Sequence, residues 1–144
     1  MKSRSLNIES RTEELNTVRE FVSRAALEAG FGEEDVSKIA LAVDEACTNV
    51  IKHAYRFDPS KNITVSVRKG NGAFEVSIQD TGSQFNPDDV KTPDMKEYLS
   101  HYRRGGLGVY LMKSLMDKVE YSITPGKNNE VRLIKYLSVD SSPS

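Results

Sequence analysis

Glu45 and Asn49 stand four residues apart in the stretch VSKIALAVDEACTNVIKHAY, Val36 to Tyr55. On a helix that spacing stacks them on one face about one turn from each other. A carboxylate set among Leu41, Ala42 and Ala46 needs a partner, because an uncompensated buried charge is costly or forces a change of protonation. Two readings of the pair stand on spacing alone. Glu45 is a carboxylate base beside a carboxamide metal ligand, or it pairs with Lys52 or an arginine elsewhere while Asn49 hydrogen-bonds a neighbouring loop. Further along, Arg103-Arg104-Gly105-Gly106-Leu107-Gly108 runs into an apolar helical pattern through Val109, Leu111, Met112, Leu115 and Met116. Glycines at a helix N-terminus let backbone N–H groups approach an anion, and phosphate is the natural candidate. A flexible hinge leading into a helix is the alternative, and the two arginines favour the anion.

These groups need elements to position them. Val36, Ile39, Ala40, Val43, Cys47, Val50, Ile51 and Ala54 form one stripe at helical period. Leu41, Ala42 and Ala46 on the opposite side predict a central helix covered on both faces. An earlier helix is expected from about Arg11 to Ala29, opened by the capping-box spacing Ser10-Arg11-Thr12-Glu13 and stopped by Gly30. Leu6 and Ile8 alternate as a short edge strand. Ile63, Val65 and Val67, then Phe74, Val76 and Ile78, alternate on either side of Gly70-Asn71-Gly72, which reads as a hairpin with one covered face. The second of these strands runs into Asp80-Thr81-Gly82. About twenty polar residues without a clear period follow, a length that is usually functional or disordered, and they read as a mobile lid. Lys118 to Thr124 and Glu130 to Ser138 read as a second antiparallel pair around Pro125-Gly126-Lys127-Asn128-Asn129.

The 144 residues fit a single domain, expected over residues 5–138 with a frayed tail at 139–144. A net charge of -1 from 20 basic and 21 acidic residues gives no general field for nucleic acid or an anionic membrane. The single cysteine, Cys47, lies on the apolar stripe and reads as a buried, inert thiol. Without a signal-like N-terminus or a long apolar run, the expectation is a soluble cytoplasmic protein.

Taken together, AVDEACTNVIKHAY, IQDTG and RRGGLGVYLMKSLMDKVEY resemble the N-box and the two glycine boxes of the GHKL ATPases, the group of gyrase, histidine kinases, mismatch-repair proteins and the ninety-kilodalton heat-shock chaperones. Within that group the chain is most similar to the bacterial anti-sigma factor serine kinases. The resemblance implies an α/β two-layer sandwich, with a mixed, mostly antiparallel sheet and helices on one face. It implies that Asn49 ligates Mg²⁺ on the phosphates of ATP and that Glu45 is the general base. Asp80 would accept a hydrogen bond from the adenine amino group, with Gly82 allowing close approach, and Arg104, Gly105, Gly106, Leu107 and Gly108 would lie against the phosphates. His53 falls where the family has histidine and reads as structural. Neither the G-x-x-x-x-G-K-[ST] loop nor the H-R-D and D-F-G pieces of other ATP scaffolds occur.

The chain departs from the family pattern at Gln84, where a second glycine is expected, and at Asn128-Asn129, where a Gly-Thr pair is usual. The function implied is an ATP-dependent protein serine/threonine kinase that is also an anti-sigma factor, binding a sigma factor and phosphorylating an anti-anti-sigma protein. Homodimerisation is implied by the resemblance only. The alternative from another class is a nucleotide-dependent module that switches partners without phosphorylating them. A histidine-kinase catalytic domain is set aside, since only about ten residues precede the first helix.

Overall fold

The computed structural model describes residues 3–55, 58–80, 107–124 and 128–137. Five strands form one sheet: β1 (Ser3–Glu9), β2 (Asn62–Gly70), β3 (Ala73–Asp80), β4 (Lys118–Thr124) and β5 (Asn128–Tyr136), in the order β1-β2-β3-β5-β4. All four pairings are antiparallel, so the expected predominance of antiparallel pairing is complete among the described residues. Among the described residues three α-helices, α1 (Leu15–Ala29), α2 (Glu33–Asn49) and α3 (Leu107–Leu115), pack on one face. The alternation of the strands explains this arrangement. Ile63, Val65 and Val67 of β2 and Phe74, Val76 and Ile78 of β3 are all buried, while the opposite face carries polar residues such as Ser66, Gln79 and Arg132.

The hairpin between β2 and β3 closes on Asn71 and Gly72, with Gly70 paired to Ala73 and Gly72 at φ 73°, a conformation that favours glycine. Gly30 ends α1 in the left-handed conformation at φ 112°, as its position after the apolar stripe predicts. The chain then turns Phe31 edge-on to Phe74, with ring centroids 5.7 Å apart.

The start of α1 differs from expectation. Thr12–Glu14 form a 3-10 turn ahead of the α-helix, and no side chain caps it. A capping box would need the Ser10 backbone N–H for Glu13, but that group donates to the Lys61 carbonyl at 2.8 Å. The Ser10 hydroxyl is left buried without a partner. Tertiary pairing has overridden the local signal.

The central helix fits its pattern closely. Val36, Ile39, Val43 and Cys47 are buried towards the core, and Ala42 and Ala46 are buried as well. α1 and α3 both pack against α2, which accounts for the second covered side. Leu41 departs from that expectation, with 43% of its surface exposed. Arg19 of α1 donates to Asp44 of α2 at 2.8 Å, a solvent-facing pair that bridges the two helices and adds little energy. Gly32 offers no capping side chain, and Glu33, Glu34 and Asp35 supply negative charge to the positive end of α2 instead.

Past Asn49 the expected α-helix gives way to a π turn over Val50–Ala54, closed by the Tyr55 N–H on the Val50 carbonyl at 2.9 Å. Tyr55 is thereby buried, and its hydroxyl donates to the Asn62 carbonyl at 2.8 Å. At the far side of the sheet, Lys135 donates to the Leu115 carbonyl at 3.1 Å, satisfying the last turn of α3. Among the described residues no helix is long and apolar enough to cross a membrane.

Burial pushes the Cys47 thiol up to about 12 from its ordinary 9.0, with a smaller push from the Asp44 charge. The folded chain therefore keeps the proton where an unfolded chain releases it. The stability that this confers is whole below pH 9.0 and is lost as pH rises towards about 12. Relative to Cys47→Ala, the parent chain is expected to lose up to about 1.4 kcal/mol per pH unit over the upper part of that window. Urea midpoints measured for both chains from about pH 8 to about pH 10.5 test this, and parallel curves would contradict a shielded thiol.

Candidate nucleotide site

The sheet end at which β3 finishes gathers the polar residues of interest. Asp80 is the last residue of β3, and it lies opposite Ile63 at the start of β2 and opposite Asn129 at the start of β5. The Tyr55 bond to Asn62 brings the segment that follows α2 to this same end. Lys135, near the end of β5, lies 3.9 Å from Asp35 in the first turn of α2, so the helix begins at the opposite end of the sheet. α2 thus delivers Glu45 and Asn49, both in its last two turns, to the end where Asp80 and Asn129 sit.

Asn49 is only 4% exposed, and its Nδ2 is buried without a hydrogen-bond partner. Glu45, one turn earlier, is half-buried. Lys52 is exposed, and among the described residues no cation pairs with Glu45. The ion pair that spacing left open for Glu45 is therefore not formed there, nor is the hydrogen bond of Asn49 to a neighbouring loop. A buried amide N–H group left unpaired costs about 1–3 kcal/mol and awaits an acceptor, which leaves Oδ1 as the atom able to face a cation.

Asp80 and Asn129 are each 3% exposed, and Asn129 Nδ2 donates to Asp80 Oδ1 at 2.9 Å. The carboxamide oxygen of Asn129 is buried and unpaired. Spacing put Asn128 and Asn129 in the turn before the last strand, yet both belong to β5. Asparagine is depleted in strands, so alternation gave no sign of it, and the pairing with Asp80 and Ile123 places it there.

Leu107 opens α3 and Gly108 follows within it, so the backbone where glycines were expected to meet an anion does begin a helix. Gly82, Arg104, Gly105 and Gly106, together with Gln84 and the expected lid, lie outside the described residues, as does the side chain of His53. Among the described residues no three His, Cys, Asp or Glu side chains cluster to hold a metal. One carboxamide oxygen with a carboxylate nearby suits Mg²⁺, which keeps several waters and takes other ligands from phosphate oxygens rather than from an all-protein cage.

The chain belongs to the histidine kinase-like ATPase domain family, whose match spans residues 8–135. The relatives that it matches along most of its length are more particular. The serine-protein kinase RsbW of Bacillus subtilis (strain 168) is 34% identical over 140 residues, covering 92% of this chain and 84% of that protein. The serine-protein kinase RsbW of Bacillus licheniformis is 31% identical over 133 residues, covering 90% of this chain and 82% of its own. The fold is shared with the crystal structure of the RsbU and RsbW domains of Rv1364c from Mycobacterium tuberculosis. That match has a TM-score of 0.67 at 17% identity and covers 95% of this chain and 32% of that one.

The unpaired Asn49 amide leads to a stability prediction. Asn49→Ala is expected to leave the nucleotide-free chain as stable as the parent or more stable by about 1 kcal/mol, because it removes a buried unsatisfied group. Urea denaturation without nucleotide or magnesium measures this. A loss of several kcal/mol would show that Asn49 is a structural residue with a partner of its own.

Proposed function

We propose that this chain is a protein serine/threonine kinase that transfers the terminal phosphoryl group of ATP to a hydroxyl of an anti-anti-sigma protein, and that as an anti-sigma factor it also binds a sigma factor. The observation that carries the reading is the pair on α2, a carboxylate that no cation among the described residues pairs with, one turn from a buried carboxamide whose Nδ2 has no partner. The relatives named serine-protein kinases support the choice of a protein hydroxyl as acceptor. The family, an ATPase domain, supports ATP as donor.

Phosphoryl transfer asks the protein mainly for position and charge. Asn49 would hold Mg²⁺, which when bound neutralises the phosphate oxygens. Asp80 would orient the adenine, and Gly82 would let the backbone approach it. The first turn of α3 at Leu107 and Gly108, with Arg104, Gly105 and Gly106 before it, would lie against the phosphates. Glu45 is the base: it takes the proton from the substrate hydroxyl as that oxygen bonds to the terminal phosphorus, and the bond to the bridging oxygen of ADP breaks. The reading includes a homodimer acting in the cytoplasm, with no direct contact to nucleic acid or membrane.

The test has two stages. Calorimetric titration with ATP, with and without Mg²⁺, should show magnesium-dependent binding that Asn49→Ala weakens. Incubation of a candidate anti-anti-sigma protein with this chain and Mg·ATP, followed by intact-mass measurement, should show one added phosphate. Glu45→Gln should keep ATP affinity within about twofold and slow transfer by about 10²-fold or more. Transfer at the parent rate by that variant would remove Glu45 as the base. Tight partner binding without any transfer by the parent chain would favour the partner-switching module over the kinase.

A further inference from the structure

The contact between β3 and β5 carries information that the fold does not require. A carboxamide has one face that donates and one that accepts, and beside a carboxylate only the Nδ2 side can be turned inward. The 2.9 Å bond from Asn129 Nδ2 to Asp80 Oδ1 therefore fixes which way the amide points. Its oxygen, on the same carbon, is buried with no partner. A threonine hydroxyl, usual at this position in the resembling kinases, is both donor and acceptor and can rotate to suit its surroundings. An amide oxygen cannot. Asn129 gives the site a permanent acceptor next to the Asp80 carboxylate, shielded from competing solvent.

Two acceptors side by side are complementary to a group with two N–H donors on one nitrogen. We infer that Asn129 is a specificity-determining residue: its carbonyl oxygen accepts the second N–H of the exocyclic amino group of a 6-aminopurine nucleotide, whose first N–H goes to Asp80. This rests on reading Asp80 as the adenine acceptor, and it goes further in requiring that the amine carry no substituent. A 6-oxo purine would set a third acceptor against the pair and be rejected. An N6-alkylated adenine, with one N–H left, would leave the Asn129 oxygen as unsatisfied as it is in the free chain.

Calorimetry on the full chain with Mg²⁺ and ATP, N6-methyl-ATP or inosine triphosphate tests this, using the parent and Asn129→Val. Valine removes the acceptor, makes no extra room for a methyl group, and suits a strand. The parent is expected to bind ATP about tenfold or more tightly than N6-methyl-ATP, and Asn129→Val to bring the two within about threefold, whatever happens to absolute affinity. A purely structural role for Asn129 would weaken both nucleotides alike and leave their ratio unchanged. If the parent binds ATP but does not distinguish it from N6-methyl-ATP, the oxygen is satisfied by a trapped water and the inference is overturned while the nucleotide site stands. Full retention of the preference in Asn129→Val overturns it in the same way. If the parent binds no nucleotide, both readings fall. If the variant does not fold, a parent that binds the two nucleotides equally still overturns the inference.

Discussion

Ala42 and Ala46 are completely buried on α2, on the flank of its main apolar stripe. Small side chains there let α1 and α3 flank the helix while Val36, Ile39, Val43 and Cys47 press onto the sheet. With both sides held, α2 has little freedom to roll or slide, and interiors packed at crystal-like density resist such shifts. The bond from Tyr55 to Asn62 then fixes its far end. The placement of Glu45 and Asn49 beside the end of β3 depends on this clamp more than on any contact that either side chain makes.

The polar end is built at a local cost. Asn49 Nδ2, Asn129 Oδ1 and Ser10 Oγ are all buried and unpaired, whereas Lys135 and Leu115 at the other end satisfy each other. Buried polar groups are ordinarily paired, and those that are not concentrate where a ligand completes the structure. Among the described residues, the contrast between the two ends of one small sheet is the physical sense in which the end holding Asp80 and Asn129 is unfinished. A core of more than twenty apolar residues across three helices and five strands bears that cost.

Much of the architecture was legible because it is written in short-range patterns. The stripe on α2, the alternation of β2 and β3, Gly30 as a helix stop and Asn71-Gly72 as a turn are all local. The i, i+4 relation of Glu45 and Asn49 is local too, and it survives in the folded chain. What periodicity missed is non-local. The capping box at Ser10 fails because a carbonyl at Lys61 claims its donor. The asparagines at 128 and 129 join a strand against their propensity because Asp80 and Ile123 lie opposite Asn129. No residue pattern in Val50-Ile51-Lys52-His53-Ala54 announces a π turn, since each of these residues sits equally well in an α-helix.

Considered as geometry, that π turn holds one residue more than an α turn and needs no loop to hold it. An α-helix turns about 100° per residue, so one surplus residue rotates everything beyond it by that amount. Beyond Asn49 the surplus is what turns Tyr55 inward to the sheet instead of around the helix. A descendant that lost any one of these five residues would regain a regular helix and lose the anchor that holds its end. Val50 and Ile51 are themselves buried in the core, so the segment is held in its side chains there as well as in its length.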